Sequence, residues 1–191
     1  MIRRQLLTGL AVVALMTAIV GLAYPLTVTG IAQLVFPGRA DGSLVRVADQ
    51  VVGSRLIGQP FTARENFHPR PSAAGDGYDG SASGASNLGP STEALADAVR
   101  QRVIAYRTEN GLAADAPVPV DAVTASASGL DPHISPANAR IQAARVAGAR
   151  GRSLETVLAL IARHTDGRRL GVLGEPTVNV LELNLALASS Q

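Results

Sequence analysis

From Leu6 to Tyr24 the chain reads LLTGLAVVALMTAIVGLAY, 19 residues without a charge. No other feature restricts the fold as strongly. A helix over this run spans about 28 Å, close to the hydrocarbon thickness of a bilayer. Leu6, Leu7, Val12, Leu15 and Ile19 give it lipid-compatible bulk, and Tyr24 with Pro25 marks its outer interface. Arg3 and Arg4 precede the run, and no basic residue follows until Arg39. The positive-inside rule therefore predicts a cytoplasmic N-terminus and an outward remainder. A cleaved signal peptide is the competing reading, with a passable site at Gly21-Leu22-Ala23. The apolar core is longer than a usual signal core, however, and the chain stays apolar through Phe36. The expectation is an uncleaved anchor, residues 1–36 with a helix over about 6–31, and a soluble extracytoplasmic domain over 37–191. Thr8, Gly9, Thr17 and Gly21 are small enough to let a neighbouring helix approach closely; a lone anchor facing lipid fits them equally well.

Charge narrows the function classes. All 17 basic residues are Arg, and two of them lie before the apolar run, leaving 15 Arg against 15 acidic residues in the remainder. That part is formally neutral and carries no basic cluster interleaved with aromatics, so nucleic acid is not an expected partner. With no Cys, disulfides and thiol chemistry are excluded; with no Lys, so are a Schiff base and a P-loop lysine.

Local signals divide the soluble part into helices and strands. Residues 37–48 read as a connector, Val51–Ile57 as a strand and Phe61–His68 as a second extended segment. Pro69–Pro90 is a long loop rich in Gly, Ser, Asn and Pro. Ser91 is the expected cap of a helix over 92–109, in which Leu95, Val99, Val103 and Tyr106 recur at helical spacing. Val118–Ser126 reads as a strand. Ser135-Pro136 opens an Ala-rich helix that Gly151 ends, and Ser153 caps another that Asp166-Gly167 closes. Leu170–Leu173 reads as a short strand. Pro176–Ala188 alternates like a strand but is Leu-rich, and a helix is favoured. The order of elements predicts an α+β fold: a single N-terminal transmembrane helix followed by one compact exterior α+β domain.

Chemistry is sparse. There is no G-x-S-x-G elbow, no H-x-x-x-H and no paired carboxylates. Ser128, Asp131 and His133 can be drawn as a triad, or Ser86 paired with His133 in an anchored extracytoplasmic hydrolase, but residues flanking Pro132 are poorly placed to orient one another. A polar turn capping backbone groups is the favoured reading. His68 and His133 read as hydrogen-bonded loop residues rather than metal ligands, and Gly53–Gly58 as a structural segment rather than a phosphate cradle. The loop over Ser83, Gly84, Ser86, Asn87, Gly89 and Pro90 and the turn over Ser126, Ser128, Gly129, Asp131 and His133 are the candidate partner-contact or fold-defining sites.

Several runs resemble one family. They are Gly53-Ser54-x-Leu56-Ile57-Gly58-Gln59, Arg70-Pro71-Ser72-Ala73, Ser83–Pro90, Val118–Ser126, Ser128–Ser135, Gln142 with Arg145-Val146-Ala147, Gly171-x-Leu173-Gly174-Glu175-Pro176, and Val178–Asn184. Together they resemble the C subunit of the Kdp-type potassium-transporting ATPase, along the whole chain. Ala85, where a second Gly is usual, and His68-Pro69 depart from that pattern. The resemblance implies an accessory, non-hydrolysing subunit in the bacterial inner membrane. Its implied partners are a P-type ATPase subunit, which holds ATP and Mg, and a channel-like subunit that selects potassium. It also implies a catalytic chaperone that raises the ATP affinity of the hydrolysing subunit. An exterior domain cannot touch cytoplasmic ATP, so any such effect is expected to be indirect, with no cofactor bound by this chain; a cytoplasm-facing nucleotide-binding module is the alternative that reversed topology would support.

Overall fold

A computed structural model of the chain describes residues 1–189 and divides into two units, Met1–Val52 and Gly53 onward. In the first, Ile2–Val35 is one continuous helical run of 34 residues, extending beyond both expected ends. It comprises α1 (Ile2–Met16), a π-helical segment (Thr17–Ala23) and α2 (Tyr24–Val35). The π segment lies just before Pro25, which has no N–H to donate and whose ring crowds the carbonyl of Gly21 one turn back. Widening the turn, with the Tyr24 N–H bonded to the Ile19 carbonyl, lets the helix pass the proline unbroken. Pro25 is thus inside the helix. None of the helix side chains is buried within the protein: Leu6 is 68% exposed and Leu15 55%. A single helix of this length and apolarity is a membrane span.

The segment read as a connector holds more structure than expected. A short helix, α3 (Pro37–Ala40), is followed by a hairpin of β1 (Leu44–Val47) and β2 (Gln50–Ser54). Ala48 and Asp49 at its tip have φ of 47° and 64°, the left-handed pair that a two-residue hairpin turn requires. Ala-Asp is not a customary turn pair, so the sequence carries no strong hairpin signal here.

In the second unit a three-helix layer packs on a small antiparallel sheet. The helices are α6 (Pro136–Arg150), α7 (Leu154–Arg163) and α8 (Val180–Ser189). The sheet has the order β3-β5-β4, from His133–Ile134, Thr177–Asn179 and Thr165–Asp166. Ile134 pairs with Val178, and Val178 with Thr165. The core is aliphatic apart from Phe67, joining Ile134, Val146, Val157, Ile161, Val178, Leu183 and Leu187. Small residues Ala139 and Ala143 let α6 approach closely. Each large core side chain contributes about 1.5–3 kcal/mol by burial.

Helix ends follow local chemistry. Ser135 and Ser153 accept from Asn138 N and Thr156 N, and Gly151 closes α6 in the left-handed conformation at φ 61°. For α4 (Glu93–Glu109) the cap is Thr92 rather than Ser91. Three segments differ from the expectation. Val118–Ser126 holds a one-turn helix, α5 (Val120–Val123), instead of a strand. Phe61–His68 is irregular. Leu170–Leu173 is a tight turn closed by the Arg169–Leu173 bridge. In the tail the favoured helix is present as α8, directly preceded by the short strand β5.

Candidate functional site

The candidate loop and turn meet each other. Backbone carbonyls of 128–130 act as a hub for three distant segments. Ser128 O accepts from Gly84 N at 2.9 Å and from Ser83 Oγ at 3.0 Å. Gly129 O accepts from Ser72 Oγ at 2.6 Å, and Leu130 O from Gly58 N at 2.7 Å. Ser72 Oγ also accepts from Ala74 N and Tyr78 N, at 3.2 and 2.8 Å, which folds the Gly-rich loop around one hydroxyl. The Tyr78 phenol donates to the Arg70 carbonyl, and burial pushes its pKa up to about 12.

Gly129 is where the knot demands glycine. Its φ is 68°, and a Cβ there would stand 2.6 Å from Ala74 N and 2.7 Å from Gly84 O, both backbone atoms. Gly84 is different: its nearest neighbours would lie at 3.7 and 3.8 Å, ordinary contact. Asn87 takes φ 51°, a conformation asparagine tolerates. Ser86, Asn87 and Pro90 are exposed, and Gly89 is partly covered near Thr92.

Asp131 joins the turn to its surroundings. Its carboxylate accepts from Arg70 Nη1 at 2.8 Å, from His133 N at 3.0 Å and from His133 Nδ1 at 3.2 Å. Burial pushes its pKa up, but the His133 and Arg70 donors outweigh burial and hold the carboxyl below its ordinary range. Asp131 and His133 therefore do orient one another across Pro132. Ser128 Oγ, by contrast, accepts from Leu130 N at 3.1 Å and faces Ser126 Oγ at 3.4 Å. Ser126 Oγ in turn accepts from Asp131 N. Among the described residues no hydrogen bond links Ser128 or Ser86 to His133, so the serine–histidine dyad of a hydrolase is not assembled.

A second polar network lies on the buried face of α6 and went unassigned in the sequence. Asn138, Gln142 and Arg145 recur at helical spacing on one face. Gln142 brackets His68, accepting from its N at 2.7 Å and donating to its O at 3.1 Å. Arg145 donates to Asn66 O at 3.0 Å, to Asn110 Oδ1 at 3.1 Å and also to Arg64 O. From α8, Asn184 brackets Phe67 in the same manner, at 2.8 and 2.9 Å. Asp121 reaches Ser135 N, Ser135 Oγ and Asn138 Nδ2 at 2.7, 2.9 and 3.0 Å, which fixes α5. The signal was a polar stripe on an otherwise apolar helix face.

Beside this network is a cleft of about 260 Å³ lined by Phe61, His68, Arg102, Tyr106, Glu109 and Gln142. His68 Nδ1 contacts Glu109 Oε1 at 2.7 Å and its Nε2 faces Ala63 O at 3.0 Å, so both ring nitrogens are already engaged. Among the described residues no group of three or more His, Asp and Glu side chains is placed to hold a metal ion.

These features define a class: one membrane-spanning helix and a small α+β domain whose loops are organised by internal polar contacts. The chain belongs to the family described as KdpC, K+-transporting ATPase, c chain, which matches residues 6–189. It is 60% identical to the potassium-transporting ATPase KdpC subunit of Mycobacterium tuberculosis H37Rv, over 97% of this chain and 98% of that protein. The subunit of the same description from Kineococcus radiotolerans is 60% identical over 98% and 94%. That from Koribacter versatilis is 52% identical over 99% and 96%.

Proposed function

We infer that this chain is an accessory, non-hydrolysing subunit of an ATP-driven potassium uptake complex in the bacterial inner membrane. The family match along residues 6–189 carries the reading. The internal use of the loop hydroxyls supports it, since Ser72, Ser83 and Ser128 are engaged with backbone groups rather than with a catalytic base. Its partners in this reading are a P-type subunit that holds ATP and Mg and a channel-like subunit that selects potassium. Residues 1–36 anchor the chain, and 37–191 lie outside the membrane. Arg3 and Arg4 before the span, against Arg39 as the first basic residue after it, support a cytoplasmic N-terminus.

The chain stabilises the assembled pump and raises the ATP affinity of the hydrolysing subunit indirectly. An outward domain has no access to cytoplasmic nucleotide, so the coupling runs through packing of the helix and of the domain against partner subunits. Copurification tests this. A C-terminally tagged chain in mild detergent is expected to bring down a potassium-stimulated ATPase whose activity falls when the chain is omitted. A chain recovered alone, beside a pump that runs without it, rejects the reading. A C-terminal reporter active only in the cytoplasm rejects the topology.

A further inference from the structure

The most exposed large apolar side chain of the second unit is Leu170, at 90%, and its neighbours Val172 and Leu173 are exposed by 72% and 58%. All three lie on the turn joining β4 to β5. The turn is closed by two backbone bonds between Arg169 and Leu173, both 2.9 Å, and by Gly171 N to Arg168 O at 3.1 Å. At its base Arg168 grips Glu175 through both carboxylate oxygens, at 2.8 and 2.7 Å. Leu170 sits in the left-handed region at φ 53°, a conformation that costs a non-glycine residue about 1 kcal/mol. Glycines at 171 and 174 take φ 78° without that cost. The fold thus holds a leucine in an unfavourable conformation and leaves its side chain in solvent, where it stabilises nothing within the chain.

We propose that the Arg168–Gly174 turn is an apolar knob that docks into a socket on a partner subunit of the same ATPase complex. The proposal rests on the accessory-subunit reading, which supplies the partner. Local charge distinguishes a protein socket from a lipid surface. Residues 165–177 contain two Arg and two acidic residues, so the knob is neutral. Peripheral lipid binding draws on basic residues facing anionic headgroups and on interfacial aromatics; this turn has no aromatic, and Arg168 is committed to Glu175. A braced, neutral, aliphatic knob fits a preformed apolar pocket, where removing Leu170 and Val172 from water supplies the attraction. Arg169 lies at the rim, beside a cleft of about 410 Å³ with His133 and Asp166 on its walls. It gives the partner a cation to meet with a carboxylate or carbonyl.

The test uses the full chain in the assembled complex. A photo-crosslinking residue at position 172 is expected to yield an adduct that mass spectrometry identifies as a pump subunit. A lipid adduct alone, or none while the complex is intact, overturns the proposal. In parallel, Leu170→Gly removes the side chain and relieves the left-handed strain. It is expected to leave the chain at least as resistant to urea as the wild type while lowering recovery of partner subunits about tenfold. Leu170→Gly that copurifies like the wild type overturns the knob. A wild-type chain that fails to copurify overturns the accessory-subunit reading instead, so the two failures are distinguishable.

Discussion

Two glycine-containing loops of the second unit do opposite things. The knot formed by residues 69–90 with 126–133 ties many of its polar groups to one another: Ser72, Ser83, Asp131 and the carbonyls of 128–130 all have partners within the chain, while Ser86 and Asn87 stay exposed. The turn at 168–174 is satisfied along its backbone but points Leu170, Val172 and Leu173 outward. In the sequence the first reads as a partner-contact or fold-defining loop and Leu170–Leu173 as a short strand. The difference teaches that polarity of a segment does not say where its polar groups go. A polar loop can be an interior joint when its hydroxyls replace missing ladder bonds, and an apolar turn can be surface when its neighbours close it too tightly to pair.

The largest expected effect breaks the knot at its tightest point. Gly129→Ala is predicted to destabilise the second unit by about 2–4 kcal/mol, because the new Cβ meets backbone that cannot move aside and the residue must hold a left-handed conformation. Gly84→Ala, only a hydrogen bond away, is predicted to be within about 0.5 kcal/mol of the wild type. Urea unfolding of the detergent-solubilised chain, followed by tyrosine fluorescence, checks both. Equal losses would erase the distinction drawn between the two glycines. Asn184→Ala comes next, since it leaves both the N–H and the carbonyl of buried Phe67 without partners; a loss of about 2–3 kcal/mol is expected by the same measurement.

Acid titration probes the Asp131 junction. Because the His133 and Arg70 donors lower its folded pKa, Asp131 adds stability above its unfolded value of about 3.9, and that stability is lost as pH falls through the lower folded value. Its carboxylate is partly solvent-exposed, so screening limits the contribution to on the order of 1 kcal/mol. Unfolding midpoints from pH 6 down to pH 2 are expected to fall more steeply for the wild type than for Asp131→Asn. Parallel curves would mean the carboxylate is not the junction's source of stability. The smallest effect sharpens the contrast from the other side: Val172→Ser is predicted to change stability by no more than about 0.5 kcal/mol, since its side chain is 72% exposed. A larger loss would make the turn part of the core.

What could be read from the chain was what neighbours along it decide. The span needed only an uncharged run of sufficient length. The helices α4, α6 and α7 follow from apolar spacing and from the caps Ser135, Ser153 and Gly151 beside them, and the family runs were visible residue by residue. Where a segment's partner was distant, the reading failed. Val120–Val123 coils because Asp121 reaches across to Ser135 and Asn138, not because of its β-branched composition. Thr177–Asn179 is a strand because Ile134 and Thr165 flank Val178 on either side, and at the very next residue, Val180, the same apolar run turns helical where that pairing ends. Gln142 and Arg145 face inward because residues 64–68 bring them unpaired carbonyls and an N–H to satisfy, and Asn138 because Asp121 and Tyr106 meet it there. Local sequence sets a residue's conformational preference at a scale of tenths of a kcal/mol to about one. Burial and the pairing of buried polar groups are worth more, and they depend on residues tens of positions away, so they are decided only when the tertiary structure closes.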